Sequence, residues 1–152
     1  MSTQAFYEAN AAKYFDKTLA LDVSGVRGRF LEYVPKGGKL LDAGSGSGRD
    51  SRAFKDAGYS VGAFDSSPAL ARLSTEYSGV PTQVCTFQAF HSESDYDGIW
   101  ACAALLHLRM TEVPAAVRNL KKALRPGGAI YMSFKYGTSE RIAPDGRHFF
   151  RL

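Results

Sequence analysis

The sequence predicts an α/β fold, a doubly wound, mostly parallel sheet with helices on both faces. Three observations carry this reading. Short apolar runs alternate with stretches of helical periodicity along most of the chain. The first apolar run opens directly into a loop with glycine at every second position, and the second run ends on an aspartate. A β–α alternation of this kind implies parallel strands joined by helical crossovers and covered on both faces.

Taken in order, Tyr7, Ala11, Tyr14 and Phe15 recur at helical spacing. Val26, Phe30, Leu31 and Val34 do so again before Pro35 and the Gly37-Gly38 turn, so two helices lead the chain. Residues 39–43 form the first strand, and residues 51–57 resume a helical pattern that stops at Gly58. The second strand covers residues 59–64, and residues 68–77, with Pro68 near the start, form the next helix. Residues 82–87 and 96–103 read as the third and fourth strands, residues 113–124 as a helix, and residues 129–134 as a fifth strand after Pro126-Gly127-Gly128. No repeat or low-complexity linker divides the 152 residues, so one domain over 1–152 is expected.

Composition narrows the function classes. Cys85 and Cys102 lie in apolar runs without Cys-x-x-Cys spacing, which disfavours disulfide and zinc sites, and no metal site is expected. The net charge of +4 is spread along the chain rather than gathered in a basic stripe, so a nucleic-acid partner is not expected. The absence of a long apolar run and of a signal-peptide pattern predicts a cytoplasmic protein with no membrane partner.

The chemistry is concentrated in Leu40-Leu41-Asp42-Ala43-Gly44-Ser45-Gly46-Ser47-Gly48-Arg49-Asp50. Glycines after a strand let the backbone turn sharply and let a ligand touch the main chain. Arg49 stands where a dinucleotide fingerprint needs its last glycine, and no Gly-Lys-Ser/Thr follows, so the loop suits a ligand without phosphates. Asp65 follows Asp42 by 23 positions and closes the second strand. A carboxylate there can accept both hydroxyls of a ribose, which implies a nucleoside, or it can cap the helix that follows Ser66-Ser67-Pro68; the two roles are compatible.

These segments resemble a known family. Asp42-Ala43-Gly44-Ser45-Gly46-Ser47-Gly48 is similar to motif I of class I S-adenosylmethionine-dependent methyltransferases, and Gly62-Ala63-Phe64-Asp65-Ser66-Ser67-Pro68 to their ribose-binding segment. Tyr96-Asp97-Gly98-Ile99-Trp100-Ala101 with Leu106-His107-Leu108 resembles the fourth strand and its loop, and Leu124-Arg125-Pro126-Gly127-Gly128 the turn into the fifth. Within the family the chain most resembles small bacterial enzymes of the tellurite-resistance type.

The resemblance implies S-adenosylmethionine as cofactor and methyl transfer to a small-molecule acceptor. It places methionine on Gly44, Ser45 and Gly46 with Asp42 shaping the loop, ribose on Asp65, and adenine between Ser66 and Phe87-Gln88-Ala89. Gln88 and Ala89 stand where many members carry an acid for the adenine amine. Arg49 and Asp50 either reach the ligand or serve as helix-start residues. Tyr7 and Tyr14 either close over the cofactor as part of a lid within residues 1–36 or pack on the sheet. Transfer from a sulfonium needs mainly alignment. A thiolate or chalcogen oxyanion acceptor needs little base help, whereas a hydroxyl needs a catalytic base, for which His107 and Tyr136 are the candidates. Lys135 and Arg147 are further candidates to line the acceptor site, and Cys102 falls near the sulfonium.

Similar enzymes continue past the fifth strand with two more, whereas 18 residues (135–152) follow Phe134. The C-terminal strands are therefore expected to be incomplete, leaving the fifth strand as an edge open to self-association as a homo-oligomer. The alternatives are a non-catalytic S-adenosylmethionine-binding module, a nicotinamide-dependent oxidoreductase, which Arg49 disfavours, and an aminopropyl-transfer enzyme, which needs more acids than the motifs supply.

Overall fold

Leu40 and Leu41 point to opposite faces of one strand, and both are almost fully buried, at 0% and 1% exposure. A strand buried on both faces needs helices on both. The computed structural model, which describes residues 2–134, 141–142, 144 and 147–149, supplies them. Strand β1 (Lys39–Ala43) lies at the centre of a five-stranded parallel sheet of order β3-β2-β1-β4-β5, formed with β2 (Ser60–Asp65), β3 (Thr82–Val84), β4 (Tyr96–Ala101) and β5 (Leu124–Met132). On one face Leu41, Phe64, Ile99 and Ala101 pack with Phe87, Phe90 and Leu105 and with Leu120 of α5 (Val113–Ala123). On the other, Leu40 and Trp100 pack with Phe30 of α2 (Ser24–Leu31) and Phe54 of α3 (Arg49–Asp56). The doubly wound parallel sheet is therefore present as the sequence predicts.

Helix α4 (Pro68–Ser78) starts at Ser67, whose side chain accepts from the Leu70 amide, and stops at Gly79 in the left-handed region. Helix α1 (Thr3–Leu19) is longer than its apolar periodicity suggests, because the Ser2 hydroxyl caps it by accepting from the Ala5 amide. It bends at Asn10, whose side-chain amide donates to the Phe6 carbonyl at 2.9 Å. Two strands differ from expectation. β3 stops at Val84, and the chain turns between Thr86 and Phe90, closed by the Phe90 amide to the Thr86 carbonyl. β5 begins earlier than expected, at Leu124, and takes Pro126-Gly127-Gly128 into the strand as an irregularity opposite Tyr96 and Gly98.

The C-terminal segment forms no sixth strand of this sheet among the described residues. β6 (Arg141–Ile142) and β7 (His148–Phe149) make a separate antiparallel pair, and β7 lies against the 3₁₀ turn Leu105–His107. β5 is therefore an edge of the described sheet, as expected from the sequence. No helix among the described residues is long and apolar enough to cross a membrane. From β1 the sheet grows outward in both directions, through β2 to β3 and through β4 to β5. The ends of β1 and β4 flank the crevice where such sheets bind ligands.

Candidate functional site

The loop after β1 is held from below. The Gly44 and Ser45 amides both donate to the Phe64 carbonyl of β2, at 2.9 and 3.0 Å. Gly48 closes the loop at φ +80°, and a Cβ there would lie 2.9 Å from the Ser74 carbonyl oxygen, so only glycine fits. At Gly44, with φ +73°, a Cβ would likewise lie 2.6 Å from the Ala104 Cβ. Asp65 joins the two strands: one carboxylate oxygen accepts from the Gly46 amide at 2.9 Å and the other from the Ser67 amide at 3.0 Å. Its capping and loop-holding roles thus coexist, and lone pairs on both oxygens remain for a ligand. Burial raises its carboxyl above the usual range, against the pull of these amide donors.

Asp42 is buried beneath the loop, where it accepts the Ser51 hydroxyl at 2.7 Å. Burial, reinforced by the nearby Asp50 charge, pushes its carboxyl up to about 7. Asp50 behaves oppositely. Burial alone would raise it, but hydrogen bonds and charge from Arg49, with help from Trp100 and Arg27, hold it below the carboxylate norm. One of its oxygens accepts from Arg27 at 2.6 Å, and the other from Arg49 at 2.9 Å and the Trp100 indole at 2.9 Å. Arg49 also donates to the Thr18 carbonyl at 3.2 Å, tying α1 to the loop. Arg27 carries no periodic or motif signal in the sequence; only the fold brings it to Asp50.

Helix α1 crosses above the loop. Tyr14 lies 3.4 Å from where a Cβ on Gly46 would sit and meets Tyr7 edge-on, with ring centres 4.7 Å apart. The Tyr7 hydroxyl and His107 Nε2 are 2.7 Å apart. Burial first, and Tyr14 second, raise the Tyr7 phenol well above its ordinary value, so it keeps its proton. Arg147 donates to the same phenol, and the direction of the Tyr7–His107 bond is set by the imidazole tautomer. Three further bonds hold the helix: the Gln4 amide donates to the Ser66 carbonyl, and the Glu8 carboxylate accepts from the Ser67 hydroxyl and the Ala69 amide. Glu8 carries no sequence motif either.

Two cavities flank the loop, and Tyr14 lines both. One, of about 240 Å³, is bounded by Asp42, Gly44, Ser45, Gly46, Arg49 and Cys102. The other, of about 80 Å³, is bounded by Asp65, Ser66, Leu70, Tyr7 and His107. Cys102 borders both, with its thiol raised mainly by burial. Of the predicted adenine contacts, Ser66 lines the smaller cavity, while Phe87 is buried against Phe64 at 5.1 Å between ring centres. Gln88 and Ala89 are exposed and line neither cavity; Asn119 of α5 holds the Phe87 and Gln88 carbonyls. Lys135 and Tyr136 lie outside the described residues. No group of metal-binding side chains occurs among the described residues.

Comparisons with known proteins show what the sequence and the fold are similar to. The chain is 28% identical over 134 residues to hemagglutinin 1 of Eikenella corrodens, covering 84% of this chain and 44% of that protein. Its fold matches a chain of the Haloferax volcanii complex between the Trm112 methyltransferase activator and a methyltransferase, with a TM-score of 0.73, 22% identity, and 89% and 61% of the two chains covered. The chain thus spans about half the length of the first of these and about three-fifths of the second. The Burkholderia thailandensis 1,6-didemethyltoxoflavin-N1-methyltransferase, solved with bound 1,6-didemethyltoxoflavin and S-adenosylhomocysteine, matches with a TM-score of 0.70 at 21% identity, covering 97% and 71%. A TehB-like S-adenosylmethionine-dependent methyltransferase from Corynebacterium glutamicum matches equally well, at 0.70 and 24%, covering 91% and 76%. These structures share the class I methyltransferase fold, and none singles out a tellurite-resistance subtype. The methyltransferase domain family matches residues 15–139, most of the chain, including the five strands of the parallel sheet and the loop after β1, and this protein belongs to that family.

Proposed function

We propose that this chain transfers a methyl group from S-adenosylmethionine to a small-molecule acceptor by in-line displacement. The observation that carries the reading is the distribution of charge around the loop at the end of β1. The larger cavity offers a carboxyl, Asp42, and a guanidinium, Arg49, as partners for the ammonium and carboxylate of an amino acid. Across Gly46, the smaller cavity offers Asp65 to a ribose diol. The residues fit the two ends of the cosubstrate, and Cys102 borders both cavities where the sulfur would lie. The Tyr7 and Tyr14 rings line the cavity beside Asp65, so within residues 1–36 α1 is the lid that shifts to admit a nucleoside, while α2 stays packed in the core through Phe30. When bound, S-adenosylmethionine supplies a methyl group on a sulfonium whose thioether leaves without a proton.

The chain's residues then align and exclude water rather than form a covalent intermediate. His107 Nε2 is engaged by the Tyr7 hydroxyl at 2.7 Å, so that nitrogen reaches an acceptor's proton only when the bond is exchanged. Acceptors that need little base help, such as thiolates or oxyanions, therefore suit this site better than hydroxyls. Tyr136 stays a second candidate base from its motif position. The test is calorimetric titration of the chain with S-adenosylmethionine and S-adenosylhomocysteine, with NAD as control. Saturable binding of either sulfur ligand, weakened about tenfold to a hundredfold in Asp65→Ala, is expected from the loss of charge-assisted ribose bonds. NAD binding without sulfur-ligand binding would replace this reading with an oxidoreductase.

A further inference from the structure

Where β4 leaves the sheet, the backbone takes a conformation that an alanine resists. Ala103 has φ +53°, in the left-handed region where the Cβ crowds the main chain. At seven other described positions with positive φ the chain carries glycine, and the second exception, Ser94, borders neither cavity beside the loop. Ala103 borders both. A residue kept in an unfavourable conformation needs surroundings that over-determine it, and such residues gather at functional sites.

Ser133, one residue past the end of β5, supplies the hold. Its amide donates to the Ala101 carbonyl at 3.2 Å, which extends the β4–β5 ladder by one bond. In a parallel ladder the next bond would run from the Ala103 amide to the Ser133 carbonyl. Instead that amide donates to the Ser133 hydroxyl, at 2.6 Å. The side chain replaces the main chain, so β4 turns away from β5 at Cys102 with the Ala103 amide still satisfied. On the other side, Ala104 packs against the core, and its Cβ fills the space that a side chain on Gly44 would need. The turn is thus fixed both to β5 and to the loop after β1.

We propose that Ser133 is a positioning residue, which holds the Cys102-Ala103-Ala104 turn as a fixed wall where a ligand crosses from one cavity into the other; this rests on the methyl-transfer reading above. Five residues border both cavities: Tyr14, Gly44, Gly46, Cys102 and Ala103. The two glycines are set by β2 and Asp65, and Tyr14 belongs to α1, so the wall opposite the lid is the turn that Ser133 holds. Without the hydroxyl, the Ala103 amide loses its acceptor and the strain at Ala103 drives the turn toward negative φ, which moves the wall. A small ligand in one cavity can settle against a displaced wall. A ligand that spans both is tied at two ends and cannot.

The test compares S-adenosylhomocysteine, measured by calorimetry, with adenosine and methionine as its two halves, measured by ligand-observed NMR. Ser133→Ala should weaken S-adenosylhomocysteine about fivefold and each half by less than about twofold. Ser133→Thr keeps the hydroxyl and should bind S-adenosylhomocysteine within about twofold of the unaltered chain. Ala103→Gly has no steric reason to leave positive φ, so in that background Ser133→Ala should cost less than about twofold. Denaturation curves establish that the variants compared are folded. Equal losses for S-adenosylhomocysteine and adenosine would show a general loosening of the floor and overturn the positioning role. Unchanged S-adenosylhomocysteine binding in Ser133→Ala, or the same fivefold loss with glycine at 103, overturns it too and leaves the methyl-transfer reading standing. An unaltered chain that binds no S-adenosylhomocysteine overturns both.

Discussion

The floor and the roof of the site are built differently. The floor is backbone: the Gly44, Ser45 and Gly46 amides are satisfied by β2 and Asp65, and the charges beneath are buried and paired. The roof, α1, buries only Ala11 and is held by side-chain bonds from Gln4, Tyr7 and Glu8. Sparse burial and exposed hydrogen bonds mark the segments that open first in a fold. The difference assigns fixed recognition to the floor and admission to the roof.

The sharpest way to break this contrast is one non-hydrogen atom added to a side chain in each region. Gly48→Ala puts a Cβ against Ser74 in a left-handed conformation, and a loss of about 3 kcal/mol in unfolding free energy is expected from strain and overpacking. Ala12, exposed on α1, should accept serine with a change below about 0.5 kcal/mol. Chemical denaturation measures both, and comparable losses would mean the roof is as tightly built as the floor.

Much of the floor was legible because its physics is local. A strand buried on both faces reads as a continuous apolar run, the loop glycines mark positive φ, and Asp65 ends its strand. The resemblance puts Gln88 and Ala89 beside adenine, whereas β3 ends at Val84 and the turn after it leaves both exposed and outside the two cavities. Arg27 and Trp100 meet Asp50 across 23 and 50 residues, and Glu8 meets Ser67 across 59. Contacts at such separations follow from the assembled fold, which no local pattern encodes.

Asp42 sharpens the electrostatic side of the comparison. Its folded carboxyl is raised to about 7 from a reference of 3.8, so the folded state binds a proton that the unfolded chain has lost across that window. Its contribution is fully present below pH 3.8 and fades as pH rises through 7. Between these limits, stability should fall by at most about 1.4 kcal/mol per pH unit on this account. Asp42→Asn keeps an acceptor for Ser51 and should flatten that slope in denaturation curves taken from pH 4 to 7. An unchanged slope would mean Asp42 is already ionised in the folded protein. If it is protonated, a ligand ammonium beside it should expel the proton, so titration at pH 6.5 in buffers of different ionisation enthalpy should show proton release that Asp42→Asn abolishes.

The smallest effect expected is at the roof's outer latch. Glu8 is nearly fully exposed to solvent, and its carboxyl is lowered chiefly by the Ser67 hydroxyl and then by the Ala69 amide at the start of α4. Glu8→Gln keeps the shape but removes the charge from the helix start, so the loss of global stability should stay under about 1 kcal/mol. Because Glu8 anchors only α1 to the start of α4, that loss should fall on local opening. Amide hydrogen exchange should quicken by up to about fivefold along α1 and remain unchanged in β1 and β2. Exchange that quickens equally in both regions would show that roof and floor open as one unit, and admission of a nucleoside would then require loosening the whole crevice rather than one helix.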